Sequence, residues 1–244
     1  MIWRAAFAWL AMFGAAQAAT CENVAYADNT YSICTVDMVT ETLRLFLNDD
    51  AGEPYGHFSI LNRALGKDGE KLDFAMNAGM YHDDRSPVGH HVENGEEIMR
   101  VIPNAGPGNF GLLPNGILCI RDGQADVIET LRYIDEKPDC AYATQSGPML
   151  VIEGELHPRF LPDGTSRYIR NGVGTSADGK HAVFVISNNT VTFHEFGSLF
   201  RDHLNLPQAL FFDGNISRLY APSIGRSDVG FRLGPIIGTV VPTN

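Results

Sequence analysis

Four places in the sequence carry polar side chains to the end of an apolar run, and these are where chemistry is expected. Phe74-Ala75-Met76 runs into Asn77-Ala78-Gly79-Met80-Tyr81, and Tyr142-Ala143-Thr144-Gln145 runs into Ser146-Gly147-Pro148. Tyr168-Ile169 leads to Arg170-Asn171-Gly172, and Leu210-Phe211-Phe212 ends on Asp213-Gly214-Asn215. Loops held by a rigid sheet are the usual seat of binding and catalytic groups. Asp213 follows three large apolar residues and precedes a glycine, which places its carboxylate at a sheet edge rather than on an ordinary solvated face. The same pair is also a common turn signal. Arg170 reads two ways: its planar fork matches phosphate oxygens, and it equally suits one half of a structural ion pair.

A second polar group, His82, Asp83, Asp84, His90 and His91, has the residue types of a metal site. Its spacing follows no ligand pattern, and Pro87 with Gly89 marks an irregular loop, so a solvated loop with no metal is expected. No Gly-x-Ser-x-Gly elbow, Walker loop or dinucleotide fingerprint occurs, and no cofactor is expected.

The chain ends of these loops must be held by a folded domain, and its start reads as a leader. Arg4 precedes an apolar run over residues 5–16 that closes on Ala16-Gln17-Ala18, small residues of the kind a signal peptidase reads. Cleavage after residue 18 leaves a domain over 19–244. It removes Arg4 and no acid, taking the formal charge from -11 to -12. So acidic a surface argues against nucleic acid, although one local arginine can still hold a phosphate. No later stretch is apolar enough to span a bilayer, so no stable membrane insertion is expected after processing. An exported destination, periplasmic or secreted, agrees with four cysteines, Cys21, Cys34, Cys119 and Cys140. Three pairings are possible; Cys21 with Cys34 and Cys119 with Cys140 are favoured, because each pair lies on candidate neighbouring strands and closes a short loop.

Strand patterns cover residues 31–38, 42–47, 72–77, 117–121, 143–152, 169–175, 181–187 and 209–212, short runs bounded by Gly, Pro, Asn and Asp. Helical spacing covers 57–65, with Phe58, Leu61 and Leu65 on one face and Gly66 as its stop. A second helix is expected from a Ser198 cap through Leu199, Phe200, His203 and Leu204, ending at Pro207. The fold class that follows is α+β: a β-rich mixed, mostly antiparallel twisted sheet with a few packed helices, in one domain.

Taken together and in order, the four loops resemble the phosphodiester glycosidase family, whose best-known chemistry removes N-acetylglucosamine from a phosphodiester on mannose. Asn77-Ala78-Gly79-Met80-Tyr81, followed by Pro87-Val88-Gly89, is similar to the family's Asn-Gly-Gly-Phe-Phe loop. Ser146-Gly147-Pro148-Met149-Leu150 is similar to its Gly-Gly-Pro-x-Leu segment. Arg170-Asn171-Gly172-Val173-Gly174 resembles its Arg-Thr-Ala-x-Gly strand, and Phe212-Asp213-Gly214-Asn215-Ile216-Ser217 its Leu-Asp-Gly-Gly-Gly-Ser loop. Two departures stand out: Asn215-Ile216 replaces two glycines beside Asp213, and His90-His91 stands where an aliphatic residue is common.

The resemblance implies hydrolysis of a sugar-1-phosphodiester on an envelope or extracellular glycan, with carbohydrate or sugar-phosphate as the partner. It implies Asp213 as the carboxylate and Arg170 as the phosphate holder. Asn77 and Asn171 would bond sugar or phosphate beside Ser217, with Gly79, Gly147 and Gly214 admitting close backbone approach. Two rival readings stand beside it: a non-catalytic envelope glycan binder that keeps the cleft, and a metal-dependent phosphodiesterase built instead on residues 82–91.

Overall fold

The computed structural model describes residues 18–213 and 216–243; most of the expected leader, together with Gly214, lies outside the described residues. Strands, numbered along the chain, form three sheets in which every pairing among the described residues is antiparallel. The largest runs β1 (Thr20–Tyr26), β2 (Asn29–Asp37), β13 (His181–Ser187), β12 (Asn171–Thr175), β14 (Gln208–Phe211), β10 (Met149–Ile152), β11 (Glu155–Leu156). The second runs β16 (Arg226–Ser227), β15 (Leu219–Ala221), β4 (Glu70–Asn77), β17 (Ile236–Pro242), β3 (Leu43–Phe46). The third runs β6 (Glu96–Met99), β5 (His91–Glu93), β9 (Tyr142–Ser146), β7 (Gly116–Arg121), β8 (Gln124–Glu129).

Period-two alternation explains how three sheets share one core. In β13, Ala182, Phe184 and Ile186 point into a central cluster that also takes Phe74 and Met76 of β4 and Leu118 and Ile120 of β7. The intervening residues face outward, and each outer face is covered by one helix. Val183 and Val185 meet α3 (Phe193–Ser198) through Phe196. Ala75 meets α1 (Phe58–Leu65) through Phe58, Leu61 and Leu65. Ile117 and Cys119 meet Tyr133 of α2 (Thr130–Glu136).

The α+β class and the antiparallel pairing hold, with the strands divided among three sheets. Several boundaries differ from the sequence pattern. The 143–152 run is two strands in different sheets, β9 and β10, parted at Gly147-Pro148, where proline has no N–H to give a ladder. α1 ends at Leu65 with Gly66 at its C-cap, as expected, but Gly66 keeps a helical φ of −60°; a 3₁₀ turn follows, and the chain reverses at Gly69, φ 73°. The second helix begins earlier than Ser198. Thr192 Oγ1 accepts Glu195 N–H and Glu195 Oε2 accepts Thr192 N–H, a reciprocal cap six residues upstream, and Leu199–His203 continues as a π-helical turn. Both favoured disulfides, Cys21–Cys34 and Cys119–Cys140, are present.

Candidate active site

All four polar loops meet where the ends of strands from the three sheets come together. Asn171, at the start of β12, is fully buried and is the hub. Its Nδ2 donates to the main-chain oxygen and to Oδ1 of Asn77, at the end of β4, both at 3.1 Å. Its Oδ1 accepts Asp213 N–H at 3.3 Å and lies 3.2 Å from Ser217 Oγ. The single Ser217 proton has a shorter acceptor, Asp213 O at 2.7 Å, which closes the turn around the half-buried Asp213. The third sheet joins through Ser146, whose Oγ donates to Phe212 O at 2.7 Å, and Thr144, whose Oγ1 accepts Gly79 N–H at 3.2 Å. Asn77 Oδ1 also accepts Arg218 N–H at 2.9 Å. Asn77 Nδ2 is left buried without a hydrogen-bond partner among the described residues.

The electrostatics gather on Tyr81. Its phenol is pushed up to about 12, first by burial and then by the negative charge of Asp213, against the opposing pull of Arg85 and Arg218. Arg85 lies over the Tyr81 ring at 5.6 Å. Arg218 is buried, and its charge is disfavoured by burial and supported by Tyr81 and Asp228; Nη1 donates to Phe231 O. Neither Tyr81 nor Arg218 was assigned a role by the sequence pattern. The signal was there: Tyr81 closes the first polar loop, and Arg218 directly follows Ser217.

The other expected residues sit differently. Arg170 precedes Asn171 and, by alternation, points to the opposite face of the sheet. There it is 1% exposed, packs over Phe193 at 3.6 Å, and donates Nε to Val191 O and Nη2 to Ser166 O, both at 3.0 Å. Burial brings its pKa down to about 10, and no acidic residue forms an ion pair with it among the described residues. Ser166 and Phe193 line a cavity of ≈ 250 Å³ on that outer face.

Gly79 and Gly147 are buried and back onto protein. A Cβ at Gly79 would lie 2.4 Å from Gln145 O, and one at Gly147 would lie 2.7 Å from Asn115 Cβ. Each glycine lets two loops pass closely. His90 is held through Nδ1 by Met99 O and through Nε2 by the Tyr133 hydroxyl, both at 2.9 Å, and His91 Nε2 meets Glu93 Oε1 at 2.8 Å. No three metal-ligating side chains converge among the described residues.

A carboxylate in a turn tied to two buried asparagines, at the meeting point of three antiparallel sheets, makes a strand-end site of the kind where binding and catalytic groups are usually carried. Residues 70–229 match the family model described as phosphodiester glycosidase, and the chain belongs to that family. It is 31% identical over 205 residues to the uncharacterized protein YigE of Escherichia coli (strain K12), covering 83% of this chain and 80% of that one.

Two solved structures share the fold. The catalytic domain of zebrafish N-acetylglucosamine-1-phosphodiester alpha-N-acetylglucosaminidase, auto-inhibited by its pro-peptide, superposes with TM-score 0.61 at 11% identity, over 91% of this chain and 81% of that one. A hypothetical protein from Synechocystis gives TM-score 0.60 at 12% identity, over 91% of this chain; the chain spans 62% of that protein's length. At such identities the likeness is one of fold.

Proposed function

We propose that this protein is an exported hydrolase that cleaves the bond between the anomeric carbon and the phosphate oxygen of a sugar-1-phosphodiester on an envelope or extracellular glycan. The observation that carries the reading is the fixing of Asp213 by Asn171 at the one point where all four family loops meet. Water adds across the bond, giving the free sugar and a phosphate monoester. That leaving group is weakly basic, so little acid catalysis is needed. The site must hold the phosphate, stabilise an oxocarbenium-like transition state and supply one carboxylate.

Asp213 is that carboxylate, activating water or attacking directly. Asn171 has its amide groups engaged within the protein and positions Asp213, with Ser217 closing the turn. Asn77 keeps one donor, Nδ2, beside this network. The phosphate role passes from Arg170, which bonds carbonyls on the opposite face, to Arg218, whose charge acts on Tyr81 together with that of Asp213. Gly79 and Gly147 shape the loops, and Gly214 keeps its expected role of admitting close backbone approach next to Asp213 in the sequence. Two disulfides support a destination outside the reducing cytosol, periplasmic or secreted.

The test is release of free sugar from a panel of sugar-1-phosphodiesters, with Asp213→Asn as control. Release that needs Asp213 is the expected result. Silence across the panel from folded protein would replace this reading with that of a glycan-binding protein.

A further inference from the structure

The first described residues make a contact that the family chemistry does not use. Ala18 is exposed, whereas Ala19 is 5% exposed and packs into the central core. The Ala19 N–H donates to Asp73 Oδ2 at 2.7 Å, across 54 residues of sequence and from the edge of the first sheet to β4 of the second. The position of Ala19 is fixed from the other side as well. Thr20 pairs with Thr35, and Cys21 is bonded to Cys34.

We propose that cutting the chain between Ala18 and Ala19 turns this hydrogen bond into an ion pair, in which the new amino terminus is held by Asp73 and locks β1 onto the second sheet. The cut consumes one water, leaves a carboxylate on Ala18 and an amine on Ala19, and the amine takes up a proton from solvent. One N–H donor becomes three on a unit positive charge, and a charge-assisted bond is about twice as strong as a neutral one. A buried ammonium is tolerated only where an acid answers it.

The setting is negative. Asp37 and Asp73 act on Glu41, whose carboxyl is already pushed up by burial and whose Oε2 is buried without a hydrogen-bond partner among the described residues. Arg44, on the sheet that carries Asp73, is engaged by Glu70 at 2.5 Å. A positive charge delivered at Ala19 therefore answers Asp73, the carboxylate whose charge also acts on Glu41. The small residues Ala16-Gln17-Ala18 put the expected leader cut at the bond where exposure gives way to burial.

The experiment is independent of any activity. The protein is expressed with its own leader, recovered from the exported fraction and measured by intact mass. Its α-amine is then titrated by competitive acetic anhydride labelling, read on the N-terminal peptide. The expected results are a chain beginning at Ala19 and an α-amine titrating at least one unit above the ordinary 7.7–8.0, roughly a tenfold loss of reactivity near pH 7. Asp73→Asn should restore the ordinary value. Should that variant fail to fold, a protein retaining Ala18 ahead of Ala19 serves instead, and its terminal amine should titrate normally. A different start, an ordinary pKa in the folded Ala19 protein, or a raised pKa that survives either change would overturn the proposal.

Discussion

Asn171 Oδ1 accepts the main-chain N–H of Asp213, so the position of the carboxylate is set by an amide on a different strand, 42 residues away. Asn171→Ala would free Asp213 N–H and remove the Asn171 amide from the Asn77 carbonyl and Oδ1 in a buried setting, leaving Oδ1 with Arg218 N–H alone. We expect a loss on the order of 2–3 kcal/mol in urea unfolding, with sugar release falling more steeply than stability requires. A variant with normal turnover would show that Asp213 is positioned by something else.

Arg170 and Arg218 should separate cleanly. Arg170→Lys keeps a charge but loses the fork that bonds Val191 O and Ser166 O and the packing over Phe193, so melting temperature should fall, by an equivalent of about 2–4 kcal/mol. Arg218→Gln should raise KM for phosphodiester substrates about tenfold, with a smaller effect on stability. The reverse pattern, with Arg170→Lys raising KM in a stably folded enzyme, would return the phosphate role to Arg170.

Glu41 predicts a pH dependence for the chain in which Ala19 is still joined to Ala18. Its carboxyl titrates at about 7 in the folded protein, against an ordinary 4.5, first because of burial and then because of Asp73 and Asp37. The folded state therefore binds this proton more tightly than the unfolded state. That contribution is fully present below about pH 4.5 and is lost as pH climbs through about 7. Because the group is half-exposed, the change is discounted to on the order of 1 kcal/mol. Glu41→Gln can still accept Asp37 N–H and should flatten the urea midpoint between pH 4.5 and 8. An unchanged slope would count against Glu41 as its source.

The two disulfides differ in access. Cys119 and Cys140 are both buried against Tyr133, whereas Cys21 is partly exposed. Graded dithiothreitol with alkylation and mass mapping should open Cys21–Cys34 first. Replacing Cys119 and Cys140 by alanine, which releases a loop of 21 residues, should cost about 3 kcal/mol. Simultaneous opening of both bonds would show that reduction requires global unfolding.

Much of this molecule could be read from residue pattern, where one face of an element is buried and the other is not. His181–Ser187 was legible to the residue because Ala182, Phe184 and Ile186 alternate with Val183 and Val185 between two apolar clusters. β17 was missed because Gly238 and Pro242 interrupt a run that is held by β4 on one side and β3 on the other. α2 has only seven residues, too few for a 3.6-residue period to show. At the site, residue types marked Asn77, Asn171 and Asp213, since polar groups in buried strand ends need partners. The direction of Arg170 was legible only once the strand register was known: a single position separates it from Asn171, and that step places it on the other face.

The site's polar atoms come from residues 77, 144, 146, 171, 213 and 217, supplied by all three sheets, so no single sheet contains a working fragment of it. Secondary structure, and even one well-packed sheet with its helix, can exist without it. In a refolding chain the proposed hydrolytic centre comes into being only when the last sheet docks, which makes sugar release the expected reporter of complete assembly.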